Sequence, residues 1–339
     1  MSGVRPSAPR DSRFDAGAAD AATLGSLLDG SFQTTTTEHF VLFHEPDARY
    51  VPIACEALEH AYQQFYDAFA RAGFDLAPPA ERLVWICFPQ KGGFNRYALQ
   101  VEGMDLSWLD GYYSTLTNRV AIVQANPGRS RLAKAAPPPH QGLGVAVAAN
   151  RAPQDGAAPL SPMGKRFDIM RLTHEVAHQL SFNSGIQKRG VMYPLWVSEG
   201  LATNFEFDRL GESGLEYGNT ARCTGLLEAY ATGELVPLQE FVVQTTVPPD
   251  TRASRRHYAQ AWGFFHFVLT EHPDGLRTYL RRLAAQGADS RDAQALLAEF
   301  TQAFGSPEVL EESWQAFLAR QAQQRLARYS AAAATARTP

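Results

Sequence analysis

The chain has 339 residues, of which 45% are hydrophobic and 19% charged, and carries a net charge of -4. This is ordinary globular usage in a chain long enough to bury a substantial core, which excludes a fibrous or wholly disordered protein. The slight acidity, without clusters of Lys and Arg, argues against nucleic acid and anionic lipid as partners, and no apolar run approaches the roughly 18 to 20 residues of a membrane helix.

Residues 1–35 are rich in Ala, Gly, Ser, Asp and Thr without periodicity and are expected to be disordered. Arg5, Arg10, Asp11, Arg13, Asp15 and Asp20 leave no apolar core for a secretory signal, so a cytoplasmic location is expected. Residues 36–125 alternate element types. A strand near His39 to His44, an amphipathic helix from about Ala48 to Phe74 and an apolar strand from Leu83 to Phe88 make a β-α-β pattern. Gly111 to Tyr113 and Arg119 to Val123 flank the polar turn Ser114 to Asn118 and read as a hairpin. Residues 126–163, crowded with Pro, Ala and Gly, read as a long surface loop. Their Gly142-Leu143-Gly144 lacks the third Gly and the preceding strand of a phosphate-binding motif.

Residues 164–328 are helical by pattern, with apolar spacing of three or four in Phe167 to Phe182, Tyr258 to Leu269, Leu276 to Leu283, Ala293 to Phe304 and Val309 to Leu326. Residues 329–339 read as a disordered tail. The expected class is therefore α+β: an N-terminal twisted β-sheet with one or two helices, followed by a mainly α-helical subdomain. Cys55, Cys87 and Cys223 are too few and too far apart for a disulfide framework and read as buried free thiols.

The chemistry concentrates in Thr173-His174-Glu175-Val176-Ala177-His178-Gln179, an H-E-x-x-H pattern. Ile169, Leu172, Val176 and Leu180 form an apolar stripe at helical spacing, and Ser184-Gly185 supplies a stop. On a helix, positions four apart differ by about 40° in azimuth, so His174 and His178 share a face, whereas the stripe points away from them. One face is thus expected to meet the core and the other a cleft. A catalytic zinc site takes three protein ligands and keeps a fourth position for water. The third candidate is Glu199 in Pro194-Leu195-Trp196-Val197-Ser198-Glu199-Gly200-Leu201-Ala202-Thr203, where Pro opens a second helix and Gly200 permits its close approach to the first. Thr203 and Glu206, placed on the Glu199 face, are candidates to hold the imidazoles from behind, with packing the expected role of Thr203. His39, His44, His60, His140, His266 and His272 carry no ligand spacing and read as structural or solvated.

H-E-x-x-H followed 21 positions later by the Glu of W-x-x-E-G-x-A resembles the gluzincin clan, including the peptidase-MA-like bacterial families that are largely uncharacterised. Phe40 to Phe88, Gly111-Tyr112-Tyr113 and Tyr258 to Leu269 also look like that group, so the resemblance covers most of residues 36–285. It implies a zincin-like fold with the active-site helix between the two subdomains, one Zn2+ on His174, His178 and Glu199, and peptide or protein as substrate. Glu175 would be the general base, and Tyr258 would donate to the oxyanion, with His257 as its rival. The aminopeptidase branch carries G-x-M-E-N ahead of the zinc helix. This chain has only Gly190-Val191-Met192-Tyr193-Pro194, behind the helix and without the Glu, which points to an endopeptidase. Arg119 to Val123 is expected to be an edge strand able to pair with an extended peptide. The rival expectations are a non-catalytic module in which zinc staples two helices and a cleft binds a partner, and a zinc hydrolase of a non-peptide bond.

Overall fold

The computed structural model describes Leu24, Leu28 and residues 31–47, 50–124, 162–207, 220–285 and 291–335. A five-stranded mixed sheet is followed by a mostly helical region, so the protein is α+β. The strands are β1 (Gln33–Thr36), β2 (Phe40–His44), β3 (Leu83–Phe88), β4 (Gly111–Ser114) and β5 (Arg119–Val123), in the order β1-β2-β3-β5-β4. β2 and β3 are parallel and joined by helix α1 (Tyr50–Arg71), which is the expected β-α-β unit. β4 and β5 form the expected antiparallel hairpin. β5 also pairs with β3, so it is an interior strand and the edges are β1 and β4. This overturns the reading of Arg119 to Val123 as an edge: a short apolar run flanked by turns looks the same in either place.

β3 is buried along its whole length. Leu83, Trp85 and Cys87 enter the large core beneath α1, while Val84, Ile86 and Phe88 enter a second cluster on the opposite face with Phe94, Tyr97 and Tyr112. Successive side chains of a strand point to opposite faces, so a continuous apolar run is what a strand covered on both sides requires. Burial pushes the Cys87 thiol up to about 12, in keeping with a packed rather than reactive cysteine.

After β3 come α2 (Lys91–Tyr97) and one π-type turn (Ala98–Glu102). The helical region comprises α3 (Pro162–Asn183), α4 (Leu195–Asn204), α5 (Thr220–Ala231), α6 (Leu238–Phe241), α7 (Thr251–Glu271), α8 (Pro273–Ala285), α9 (Ala293–Phe304) and α10 (Pro307–Thr335). The large core is continuous from Phe40 and Phe65 through Leu172 and Val176 to Phe264 and Trp314, so sheet and helices share it. The expected unstructured ends are shorter than read: β1 starts at Gln33, Leu24 and Leu28 are buried, and α10 runs to Thr335. Residues 126–161 of the expected loop, with His140 and Gly142 to Gly144, lie outside the described residues. No helix of the described residues is long and apolar enough to cross a membrane.

α3 is the central element, and its azimuth is fixed by a polar anchor. The Trp85 indole donates to Gln179 Oε1 at 2.8 Å, and Gln179 Nε2 donates to the Asn118 carbonyl at 3.0 Å. Gln179 follows His178 by about 100° of helix rotation, so tying it to the sheet turns the histidines away from the sheet. From Arg171 to Phe182 the helix is buried on every side, which overturns the expectation of one face open to a cleft. The apolar stripe was the visible signal; the covering of the polar face by α4 and the turn that follows it depends on contacts distant in sequence.

α4 packs against α7 through Gly200, where an added Cβ would meet the Ala261 carbonyl oxygen at 2.6 Å and Phe265 Cβ at 2.9 Å. The glycine therefore permits close approach to α7, where its approach to the zinc helix had been expected. Both obstacles are too rigid to yield cheaply, so Gly200→Ala is expected to cost about 1–3 kcal/mol, within the usual range for overpacking. Chemical denaturation reads this as a lowered midpoint at unchanged slope.

Candidate metal centre

His174, Glu175 and His178 come from the middle of α3, and Glu199 from α4. Pro194 starts α4 with an extended backbone, and Asn204 locks its end by donating to the Gly200 and Trp262 carbonyls at 2.7 and 2.8 Å. These elements bring His174, His178 and Glu199 together, with one possible ligand atom of each within 4.8 Å of the others. The two Nε2 atoms are 3.2 Å apart, and Glu199 lies 3.5 Å from His174 Nε2 and 3.7 Å from His178 Nε2. Two donors each 2.0–2.1 Å from a tetrahedral ion stand about 3.3 Å from one another, so these separations fit one divalent ion. No fourth His, Cys, Asp or Glu joins the group among the described residues, which leaves a coordination position for solvent or substrate.

The electrostatics suit a cation at this place. His174 is buried, which alone would depress its pKa, but hydrogen bonds to Glu199 and Glu206 outweigh burial and hold it up at about 10. His178 is pushed down to about 4 by burial, against the pull of Glu199. Burial also opposes the charge on Glu199, yet the hydrogen bond from His174 and the two imidazoles keep its carboxyl below the ordinary range. In the metal-free protein a proton on His174 supplies positive charge at a place where a bound ion would supply more.

Glu206 supports the site from behind. His174 Nδ1 donates to Glu206 Oε1 at 2.9 Å, and Glu206 is 1% exposed. An ionised carboxylate can only accept, so Nδ1 carries the hydrogen and Nε2 faces the ligand position. The residue was foreseen and its placement was not: α4 ends at Asn204, so Glu206 reaches the histidine from the turn beyond the helix. Thr203 is buried and donates to the Glu199 carbonyl at 2.7 Å, within its own helix. His178 Nδ1 has no hydrogen-bond partner among the described residues.

Residues 168–288 match the family DUF1570, described as a protein of unknown function. The match takes in the His-His-Glu group, Glu175, Glu206 and Tyr258 and leaves out the sheet. No curated protein matches the chain.

Glu175 is fully buried, and neither carboxylate oxygen has a hydrogen-bond partner of ordinary geometry among the described residues. The Tyr113 backbone amide on β4 offers only a weak favourable contribution, and burial pushes the carboxyl up to about 7. Tyr258, on α7, is buried against the same centre. Burial first, and then the neighbouring Glu199 carboxylate, with which its hydroxyl interacts, hold its pKa well above the ordinary phenol value. His257 is buried too, but packs its ring 5.1 Å from Phe241, and neither ring nitrogen has a hydrogen-bond partner among the described residues. The other described histidines have structural roles: His39 pairs with Glu59 at 2.6 Å, His44 bonds Thr35, and His60, His266 and His272 pack on aromatic rings.

Sequence reasoning missed Arg222. Its guanidinium grips Glu206 with Nε to Oε2 at 3.2 Å and Nη2 to Oε1 at 3.1 Å. No motif or spacing ties it to the histidines, and it lies 16 positions from the carboxylate it grips.

Proposed function

We propose that the protein is a zinc-dependent metallopeptidase of gluzincin type, with Zn2+ on His174, His178 and Glu199 and Glu175 as general base. The observation that carries the reading is a buried carboxylate, Glu175, without a hydrogen-bond partner of ordinary geometry among the described residues, on the helix that presents two of three converging ligand atoms. Burying such a group costs several kcal/mol unless something compensates it, and a cation together with a reacting water does so.

Zinc held there by His174, His178 and Glu199 would supply Lewis acidity, which makes a water acidic and a carbonyl electrophilic. Glu175 takes the proton of the attacking water and returns it to the leaving amine. Tyr258 remains protonated at neutral pH and donates its hydroxyl to the developing oxyanion. It is preferred to His257 because its hydroxyl already lies at Glu199.

An endopeptidase is favoured, since the sequence ahead of α3 carries no G-x-M-E-N segment, whose Glu binds a free amine in the aminopeptidase branch. With β5 interior, the edges among the described strands are β1 and β4, and β4, which contacts α3, is the one assigned to pair with an extended peptide. It packs along α3 with Gly111 beside Arg171 and the Tyr113 amide turned toward Glu175.

The test is to load the purified protein with zinc and digest a mixed peptide library alongside a panel of esters. Internal cleavage that stops with a chelator and returns with zinc is the expected outcome. Zinc bound at one equivalent with no peptide cut would replace the reading with a zinc-stabilised binding module, and cleavage confined to esters with a non-peptide hydrolase.

A further inference from the structure

We propose that Arg222 is a positioning residue of the metal centre, clamping Glu206 so that Glu206 fixes the ring of His174, while its guanidinium lies over the ring of Tyr258. The inference rests on the metal-binding part of the reading above and not on peptide hydrolysis.

Arg222 stands in the first turn of α5, where the helix dipole disfavours a cation. A cost at that position calls for a local gain, and Glu206 provides it. The carboxylate is 1% exposed and receives both arms of the guanidinium, 3.2 and 3.1 Å away, on the two oxygens. One of those oxygens also accepts from His174 Nδ1. The guanidinium carbon is 5.1 Å from the centre of the Tyr258 ring. One arginine thus contacts the group that orients a metal ligand and the group assigned to the oxyanion.

A buried ion pair is weak grounds for stability as such, because desolvation consumes most of the attraction. What the pair does here is fix where the Glu206 carboxylate points: the fork holds both oxygens, and the one bound by Nη2 is the one that accepts from His174 Nδ1. Without Arg222 the carboxylate loses both of those bonds and is free to swing away from Nδ1. That change loosens the imidazole and its basicity. Arginine suits the place better than lysine, because its planar fork meets both oxygens at once and lies flat on the tyrosine.

Zinc affinity measured by competition with a chromophoric chelator tests this on folded wild type, Arg222→Met, Arg222→Lys, Glu206→Gln and the double variant Arg222→Met/Glu206→Gln. Arg222→Met is expected to weaken binding about 10–100-fold, the range for removing an outer partner of a ligand. Arg222→Lys should fall between it and wild type. The double variant should bind no more weakly than Glu206→Gln alone, because the arginine acts through that carboxylate. A purely structural ion pair would lower the melting temperature and leave the affinity of the folded protein unchanged. Wild-type affinity in Arg222→Met, or losses that add in the double variant, overturns the proposal and leaves the metal centre standing. A wild type that binds no divalent ion removes the centre and the proposal together. Should Arg222→Met not fold, Arg222→Lys against wild type gives the same decision.

Discussion

Glu175→Gln is expected to bind zinc as wild type does and to lose peptide cleavage by about 10²–10⁴-fold, the usual contribution of a positioned acid or base. The amide keeps the shape of the side chain and removes the basic oxygen, so the ligand set is untouched. Stability should move the other way. Glu175 is fully buried without an ordinary hydrogen-bond partner among the described residues, and its carboxyl is pushed up to about 7, so the metal-free native state bears the cost of burying its charge. A neutral amide relieves that cost, and the zinc-free variant should melt at or above the wild-type temperature at about pH 8. Loss of activity with unchanged or increased stability marks a group held for chemistry. Cleavage at the wild-type rate would show that another group is the base, and loss of activity accompanied by loss of zinc would make Glu175 part of the binding site.

Which parts were legible in the sequence follows from which interactions are local. The bounds of β3 and α9 were read correctly because Leu83 to Phe88 is an unbroken apolar run and Ala293 to Phe304 carries apolar side chains at spacings of three or four. The metal triad was legible because helix geometry converts the spacing of His174 and His178 into proximity, and Pro194 announces the helix bearing Glu199. β1 was hidden, since its Gln-Thr-Thr-Thr sequence has almost no apolar signal on a mostly exposed edge. α2 was hidden by Gly92 and Gly93, which are poor helix formers. α5 was hidden because Thr220, Thr224 and Gly225 dilute its apolar pattern, and Arg222 was hidden with it. The interior place of β5 and the closure of the polar face of α3 depend on pairings between distant segments, to which periodicity is blind.

The second large effect is the dependence of zinc binding on Glu199 and on pH. Glu199→Ala leaves two imidazoles, too few to hold a catalytic ion, and its affinity should fall by more than the roughly 10–100-fold seen when an outer partner is lost. At free zinc about 1,000 times the wild-type dissociation constant, binding stabilises the wild type by about 4 kcal/mol, so its melting temperature should rise with zinc and that of Glu199→Ala should not. The pH dependence has a definite sign. In the metal-free protein His174 is held at about 10, above its unfolded value near 6.5, so its contribution to stability is complete below about pH 6.5 and is lost as the pH climbs toward 10. His178, His257 and His266 are pushed down to about 4, chiefly by burial, so their contribution is present above about pH 6.5 and is lost as the pH falls toward 4. The metal-free protein should therefore be most stable near pH 6.5. Zinc must displace the His174 proton, so between about pH 6.5 and pH 8.5 affinity should rise about tenfold per unit, and titration calorimetry in buffers of different ionisation enthalpy should register about one proton released per ion. Affinity that stays flat over this interval, with no proton released, would mean that His174 does not ligate the metal, and the assigned centre would have to be abandoned.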